Sequence, residues 1–96
     1  MKNTSTENNL SVSLQDDCLY GITPREWDVL LLLTEDLSNQ EIADRLHLTR
    51  NTVKTYRRRI AEKLLISGKD HLARFSRQNR AWLRNKHFQL YPPTIK

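Results

Sequence analysis

The side chains best suited to chemistry in this sequence form a cationic run between positions 50 and 59. Lys54 and Arg58 are four residues apart, and no acidic residue interrupts the run before Glu62. Residues four apart share one side of a helix, and cations there can attract nucleic-acid phosphates and reach base edges. A cationic run is also the ordinary composition of a water-exposed helix face, so the flanking elements must decide between these readings.

The flanking pattern predicts two short helices joined by a tight turn. Ser38 and Glu41 are spaced as a capping box for the first helix, and Thr49 can cap the second after a turn at 47–49. Apolar residues fall at positions 42, 46, 48, 53 and 56, with a small residue at 43. This spacing predicts a helix-turn-helix, whose second helix lies in the major groove of DNA.

The second helix, over about residues 50–65, divides into two faces at 100° per residue. Val53, Ile60 and Leu64 face the interior, whereas Lys54 and Arg58 face outward, where they can contact base edges. Three arginines at the sides are better placed for the sugar-phosphate backbone; they are Arg50, Arg57 and Arg59. Of these, Arg57 lies near the inner face, so its stem is expected to pack while its head reaches solvent.

Several segments of the sequence resemble segments of LuxR/GerE-type DNA-binding domains, and they occur in the same order along the chain. Residues 22–30, Ile-Thr-Pro-Arg-Glu-Trp-Asp-Val-Leu, resemble the family's opening, and residues 37–43, Leu-Ser-Asn-Gln-Glu-Ile-Ala, are similar to its second helix. Thr-Val-Lys-Thr-Tyr at 52–56, with Ile60 and Lys63-Leu64, resembles its recognition helix. The resemblance covers about residues 22–76, in register and without gaps.

The resemblance implies an all-α, four-helix domain that binds DNA as a dimer through its last helix. It implies base contacts from Lys54, Thr55 and Arg58. The phosphate contacts that it implies are Ser38, Asn39, Thr49, Arg50, Asn51 and Thr52. The sequence departs from the family where Tyr56 replaces a usual His, Arg57 replaces a common aliphatic residue, and Leu65 replaces a usual Gly.

We expect three segments: a flexible arm over residues 1–21, the domain with an extended last helix over 22–91, and a tail over 92–96. The net charge of +5 belongs to the part after the arm, as expected if that part meets phosphate. Apolar residues alternate with Ser over 10–14, which is compatible with a short strand, a packed strip or a disordered leader.

The predicted last helix carries a stripe of residues that are candidates for a dimer contact. They are Leu72, Phe75, Asn79, Trp82 and Leu83. The helix is predicted to continue past the family's usual end near Ser76 until Pro92-Pro93. The extension can lengthen a dimer contact or fold back over the N-terminal arm, and the sequence leaves both open.

Other classes of function find no support in the sequence. The single Cys18 allows no intrachain disulfide, the three histidines lack metal-ligand spacing, and there is no Gly-rich phosphate loop or catalytic set of nucleophile and base. The longest aliphatic run, 29–33, is too short for a membrane span, and no signal peptide is visible. We expect no enzyme, cofactor, metal, small-molecule ligand or membrane contact, and a cytoplasmic location.

The preferred hypothesis is a bacterial transcription regulator that binds double-stranded DNA as a homodimer or with a related regulator. It can stand alone, as the Met1 start suggests, or be the DNA-binding end of a larger protein. The alternative is an adaptor that pairs with a larger regulator through its last helix and binds DNA weakly. A third reading, a promoter-recognition domain like the end of a sigma factor, fits the caps and turn less well.

Overall fold

The computed structural model describes residues 19–68 and 70–93, and every regular element within these ranges is a helix. The helices are α1 (Pro24–Leu33), α2 (Asn39–Leu46), α3 (Arg50–Lys63), α4 (His71–Gln78) and α5 (Arg80–Leu90). The predicted all-α helix-turn-helix fold is confirmed. The predictions for the alternating strip at 10–14 and for Cys18 lie outside the described residues.

Local side-chain caps begin the first three helices. The Thr23 hydroxyl accepts from the Glu26 amide at 3.1 Å, while Glu26 accepts in return from the Thr23 amide. Ser38 and Glu41 make the same reciprocal pair at 3.1 and 2.8 Å. Thr49 caps α3 by accepting from the backbone N–H of residue 52 at 3.1 Å. Each cap satisfies donors that a helix start leaves unpaired, so the helix boundaries follow from short-range chemistry.

The turn between α2 and α3 is closed by a left-handed residue. His47 has φ 59° and ψ 44°, and the amide of Leu48 donates to the carbonyl of Ala43 at 2.9 Å. This left-handed ending reverses the chain direction directly after a helix. It lets Thr49 start α3 only two residues later, which fixes α3 against α2.

The core lies between α1, α2 and α3. Trp27, Ile42, Val53 and Ile60 have no exposed surface. Ala43 is also buried, and its small side chain allows α2 and α3 to approach closely. The inner face of α3 is therefore held by packing, which leaves its opposite face toward solvent.

A buried ion pair joins the start of α1 to the end of α3. Glu26 is 2 % exposed, and its Oε1 accepts from Lys63 Nζ at 2.7 Å and from the Thr23 amide at 2.9 Å. Lys63 also donates to the Gly21 carbonyl at 2.9 Å. Burial acts to raise the pKa of Glu26, but the hydrogen bonds from Lys63 and Thr23 outweigh it and lower that pKa.

The last helix is divided where the sequence predicted one extended helix. Asn79 leaves helical geometry, with φ −115° and ψ 29°, and its Nδ2 donates to the Phe75 carbonyl at 2.9 Å. An Asn side chain that bonds to the backbone competes with the regular helix ladder. The chain therefore continues as two separate helices, α4 and α5.

The extension folds back onto α1. Leu83 is fully buried, and the rings of Trp27 and His87 lie 5.2 Å apart between their centroids. Arg84 of α5 also pairs with Glu35, just after α1, at 3.0 Å. The extension therefore packs on α1; residues 1–18 of the arm lie outside the described residues, and the longer dimer contact stays a prediction.

Candidate nucleic-acid interface

The outward face of α3 presents the residues predicted to read bases. Lys54 and Arg58 are exposed, and Thr55 is partly exposed. The Thr55 hydroxyl donates to the carbonyl of Asn51 at 3.2 Å. This bond occupies its only hydroxyl proton, so the outward chemistry of Thr55 is a methyl group and an acceptor oxygen. A methyl group suits contact with a thymine methyl, whereas Lys and Arg suit the acceptors of guanine.

The N-terminal turn of α3 contains four of the predicted phosphate contacts. Thr49, Arg50 and Asn51 are exposed, and Thr52 is partly buried. The hydroxyl oxygens of Thr49 and Thr52 lie 2.9 Å apart in a hydrogen bond. The first turn contains no acidic residue, so the positive end of the helix dipole is not neutralised there. This combination favours an anion at the start of α3.

The cations of α3 that face solvent have no ion-pair partners among the described residues. Ion pairs within 19–68 and 70–93 involve other cations, such as Arg25 with Asp28 at 3.3 Å and Lys63, at the end of α3, with Glu26 at 2.7 Å. The exposed α3 cations outside all such pairs are Arg50, Lys54, Arg58 and Arg59. Their charge is available to a ligand without first breaking an ion pair to any residue that the structure describes.

Arg57 occupies a different environment from the other arginines of α3. It is partly buried, and its guanidinium donates to Oδ1 of Asn39, the first residue of α2. Burial lowers the pKa of Arg57, and the negative charge of Asp70 acts in the opposite direction. Two residues predicted as separate phosphate contacts therefore bind each other. Ser38, beside them, is exposed.

The residues predicted for a dimer contact divide into two groups. Leu72 and Leu83 are buried within the chain, so for these two side chains the prediction is corrected: their partners are intrachain residues. Phe75, Asn79 and Trp82 are partly exposed. The Phe75 and Trp82 rings meet edge to face, with centroids 6.4 Å apart. Dimerisation itself stays a prediction.

The sequence missed the contact between Arg57 and Asn39. The two residues are 18 positions apart, and neither caps nor periodicity report contacts at that range. One signal was present: an arginine lies near the inner face of α3, where a charge must find a polar partner.

The described residues form neither a metal site nor a membrane-spanning helix. No group of three or more His, Cys, Asp or Glu side chains there is arranged to hold a metal ion. No described helix is long and apolar enough to span a bilayer.

A capped, three-helix core that presents the second helix of a helix-turn-helix defines a helix-turn-helix DNA-binding domain. The chain belongs to the luxR family of bacterial regulatory proteins, whose GerE model matches residues 21–76. The match ends before α5, which is therefore an addition to the part that the family shares.

Individual relatives are regulators from several bacteria. The chain is 40% identical over 62 residues to the DNA-binding transcriptional activator DevR/DosR of Mycobacterium tuberculosis, covering 65% of this chain and 29% of the relative. It is 49% identical over 43 residues to the response regulator protein VraR of Staphylococcus aureus, covering 45% and 21%. The chain thus spans less than a third of the length of these relatives. No solved structure matches it at a significant level.

Proposed function

We propose that this chain is a sequence-specific regulator of transcription that binds double-stranded DNA with α3 in the major groove. One observation carries the proposal: α3 is buried along Val53 and Ile60, while its opposite face exposes Lys54 and Arg58 without ion-pair partners among the described residues. The family membership supports the same function, because it is a family of regulatory proteins.

In this proposal, base edges are read from one side of α3. Arg58 donates two hydrogen bonds to a guanine, Lys54 reaches a base acceptor one turn earlier, and Thr55 lies between them in sequence. The helix N-terminus enters the groove first, as in other helix-turn-helix proteins. Direct contacts of this kind distinguish one base pair from another, whereas charge alone does not.

The phosphate contacts form a frame around this reading face. Arg50 and Arg59 contribute full charges, and Thr49, Asn51 and Thr52 contribute hydrogen bonds at the start of α3. Ser38 extends the frame to the start of α2. These contacts fix the register of α3 in the groove and make binding sensitive to salt.

The chain acts as a dimer in this proposal, either with itself or with a related regulator. The half-sites are then about 34 Å apart, or a multiple of that distance, because one helical turn separates equivalent grooves. Phe75, Asn79 and Trp82 remain the candidate contact residues, since they retain exposed surface in the single chain. The protein works in the cytoplasm, on the nucleoid, without cofactor or catalytic activity.

Selection of bound fragments from a genomic library tests the function directly. The full chain is incubated with sheared bacterial DNA and excess competitor, and the retained fragments are sequenced and footprinted. We expect a recurrent motif with protected half-sites one helical turn apart. Retention of random fragments with no shared motif would contradict the proposal, because it would show charge attraction alone.

The second candidate function is an adaptor that pairs with a larger regulator. It is favoured by the segment that lies outside the family match, where Phe88 of α5 is 59 % exposed and Tyr91, directly after α5, is 42 % exposed. Exposed aromatic residues are frequent at protein contacts. Sedimentation and DNA titration of the purified chain separate the two functions, because an adaptor stays monomeric and binds DNA weakly until its partner is added.

A further inference from the structure

Arg57 combines a charged head with a position near the inner face of α3. It is partly buried, and it directs its guanidinium to the side chain of Asn39 at the start of α2. This hydrogen bond crosses between the two helices of the helix-turn-helix. It therefore links α3, the predicted recognition helix, to the start of α2, where Ser38 and Asn39 are predicted to contact DNA.

The chemistry of the pair fixes the orientation of the Asn39 amide. A guanidinium has five donors and no acceptor, so only the oxygen of the amide can face it. The NH2 group of Asn39 is consequently turned away from Arg57. Asn39 follows exposed Ser38 at the N-terminus of α2.

We propose that Arg57 is a positioning residue: it holds the Asn39 amide so that the NH2 group donates to a DNA phosphate, and it does not bind phosphate itself. This inference rests on the proposed DNA binding and assigns separate roles to two residues first predicted as equivalent phosphate contacts.

The environment of Arg57 separates it from the phosphate-binding arginines. Arg50, Arg58 and Arg59 are exposed and have no acidic partner among the described residues. Arg57 is partly buried, and its guanidinium donates to a neutral oxygen. The charge of Asp70 acts on it as well, from the residue that precedes α4.

A double-mutant cycle on DNA affinity tests this role. Arg57→Met keeps an apolar stem and removes the donor, and Asn39→Ala removes the amide. On a selected DNA site we expect each single variant of the full chain to bind about three- to tenfold more weakly. The double variant should bind no more weakly than Asn39→Ala alone, because Arg57 acts through Asn39. Losses that multiply would overturn the proposal.

The salt dependence of the same titrations separates a positioning role of Arg57 from a direct phosphate contact. Arg57→Met should leave the slope of log affinity against log salt unchanged, because Asn39 is neutral and no cation is lost from a phosphate. A direct phosphate contact would instead flatten the slope by about one, and that result would overturn the proposal. Arg80→Met is the matched control, since it removes an exposed arginine of α5 and should leave the affinity unchanged.

Asn39→Asp keeps the test decisive if Arg57→Met unfolds the chain. The carboxylate can accept from Arg57, so the melting temperature should be maintained while DNA affinity falls by more than about tenfold. Wild-type affinity in this variant would overturn the proposal. If the unaltered chain binds no DNA, the proposed function fails too; if it binds selectively and the cycle is multiplicative, only the role of Arg57 fails.

Discussion

At the scale of single residues, the chain separates cations that hold the fold from cations that are available to a ligand. Lys63 is bound to Glu26 and to a backbone carbonyl, and Arg57 is bound to Asn39. Arg50 and Arg58 are exposed on α3. A basic sequence therefore does not consist of equivalent charges, and substitutions of different arginines should have distinguishable effects.

The first residue-scale prediction concerns Arg50. Arg50→Ala should weaken binding to all DNA sequences alike, because a phosphate contact carries no base information. It should also flatten the slope of log affinity against log salt by about one. Titrations on a selected site and on a scrambled site at several salt concentrations measure both effects. A loss confined to the selected site would show that Arg50 reads bases.

The second residue-scale prediction concerns Glu26 and pH. Its pKa is lowered in the folded chain, so the stability that it contributes is complete above its ordinary value of 4.5 and disappears as the pH falls through the lower, folded value. Glu26→Gln should therefore lower the free energy of unfolding at pH 7 by about 1–3 kcal/mol. The difference from the unaltered chain should shrink below pH 4.5.

Denaturant unfolding at a series of pH values tests this prediction. Glu41→Gln is the matched control, because Glu41 also caps a helix and has a lowered pKa but is exposed. A pH-independent difference between Glu26→Gln and the unaltered chain would contradict the assigned role of the carboxylate.

At the scale of elements, capping signals predicted most helix starts, and long-range contacts supplied what the sequence could not show. The caps at Thr23, Ser38 and Thr49 are made within three residues, so a local pattern contains them completely. The break at Asn79 was missed because helical periodicity continues through it. Neither signal reports which distant side chains meet.

The loop between α3 and α4 offers a prediction about backbone strain. Leu65 has φ 60° and is 74 % exposed, so it occupies a left-handed conformation that disfavours side chains and gains little packing. Leu65→Gly should stabilise the chain by about 0.5–1 kcal/mol, measured by thermal unfolding. Destabilisation would show that the Leu65 side chain makes an important contact.

Gly68 provides the opposite control in the same loop. Its φ is +104°, a backbone conformation that disfavours any side chain, and a Cβ atom there would also clash with the His71 ring. Gly68→Ala should therefore destabilise the chain by more than about 1 kcal/mol. Together, the two substitutions compare two left-handed positions of one loop. Glycine is expected to relieve strain at position 65 and to be required at position 68.

Helix α5 gives a second prediction at this scale. Because Leu83 is fully buried, Leu83→Ala should lower the free energy of unfolding by about 2–5 kcal/mol. Phe88→Ala, on an exposed part of the same helix, should change it by less than about 0.5 kcal/mol. Similar small effects for both would mean that α5 is not part of the folded core in solution.

At the scale of the whole molecule, a small helical core holds α3 with its cationic face toward solvent. Helix α5 packs against α1 and adds Leu83 to the buried residues. The fold class followed from the sequence because its caps, turn and apolar spacing all indicate the same helix-turn-helix. The outward face of α3 also followed, since helical periodicity assigns it. The hydrogen bond between Arg57 and Asn39, and the burial of Leu72 and Leu83, required the tertiary structure.

DNA titrations of Arg58→Ala and Arg80→Ala, on a selected site and on its single-base variants, test whether α3 reads bases. If α3 reads bases, Arg58→Ala should cost about 1–3 kcal/mol on the selected site and relax the preference at one base position. Arg80→Ala should leave both affinity and preference unchanged. Equal losses for Arg58→Ala on selected and scrambled DNA would contradict the account, because they would reduce α3 to a source of charge.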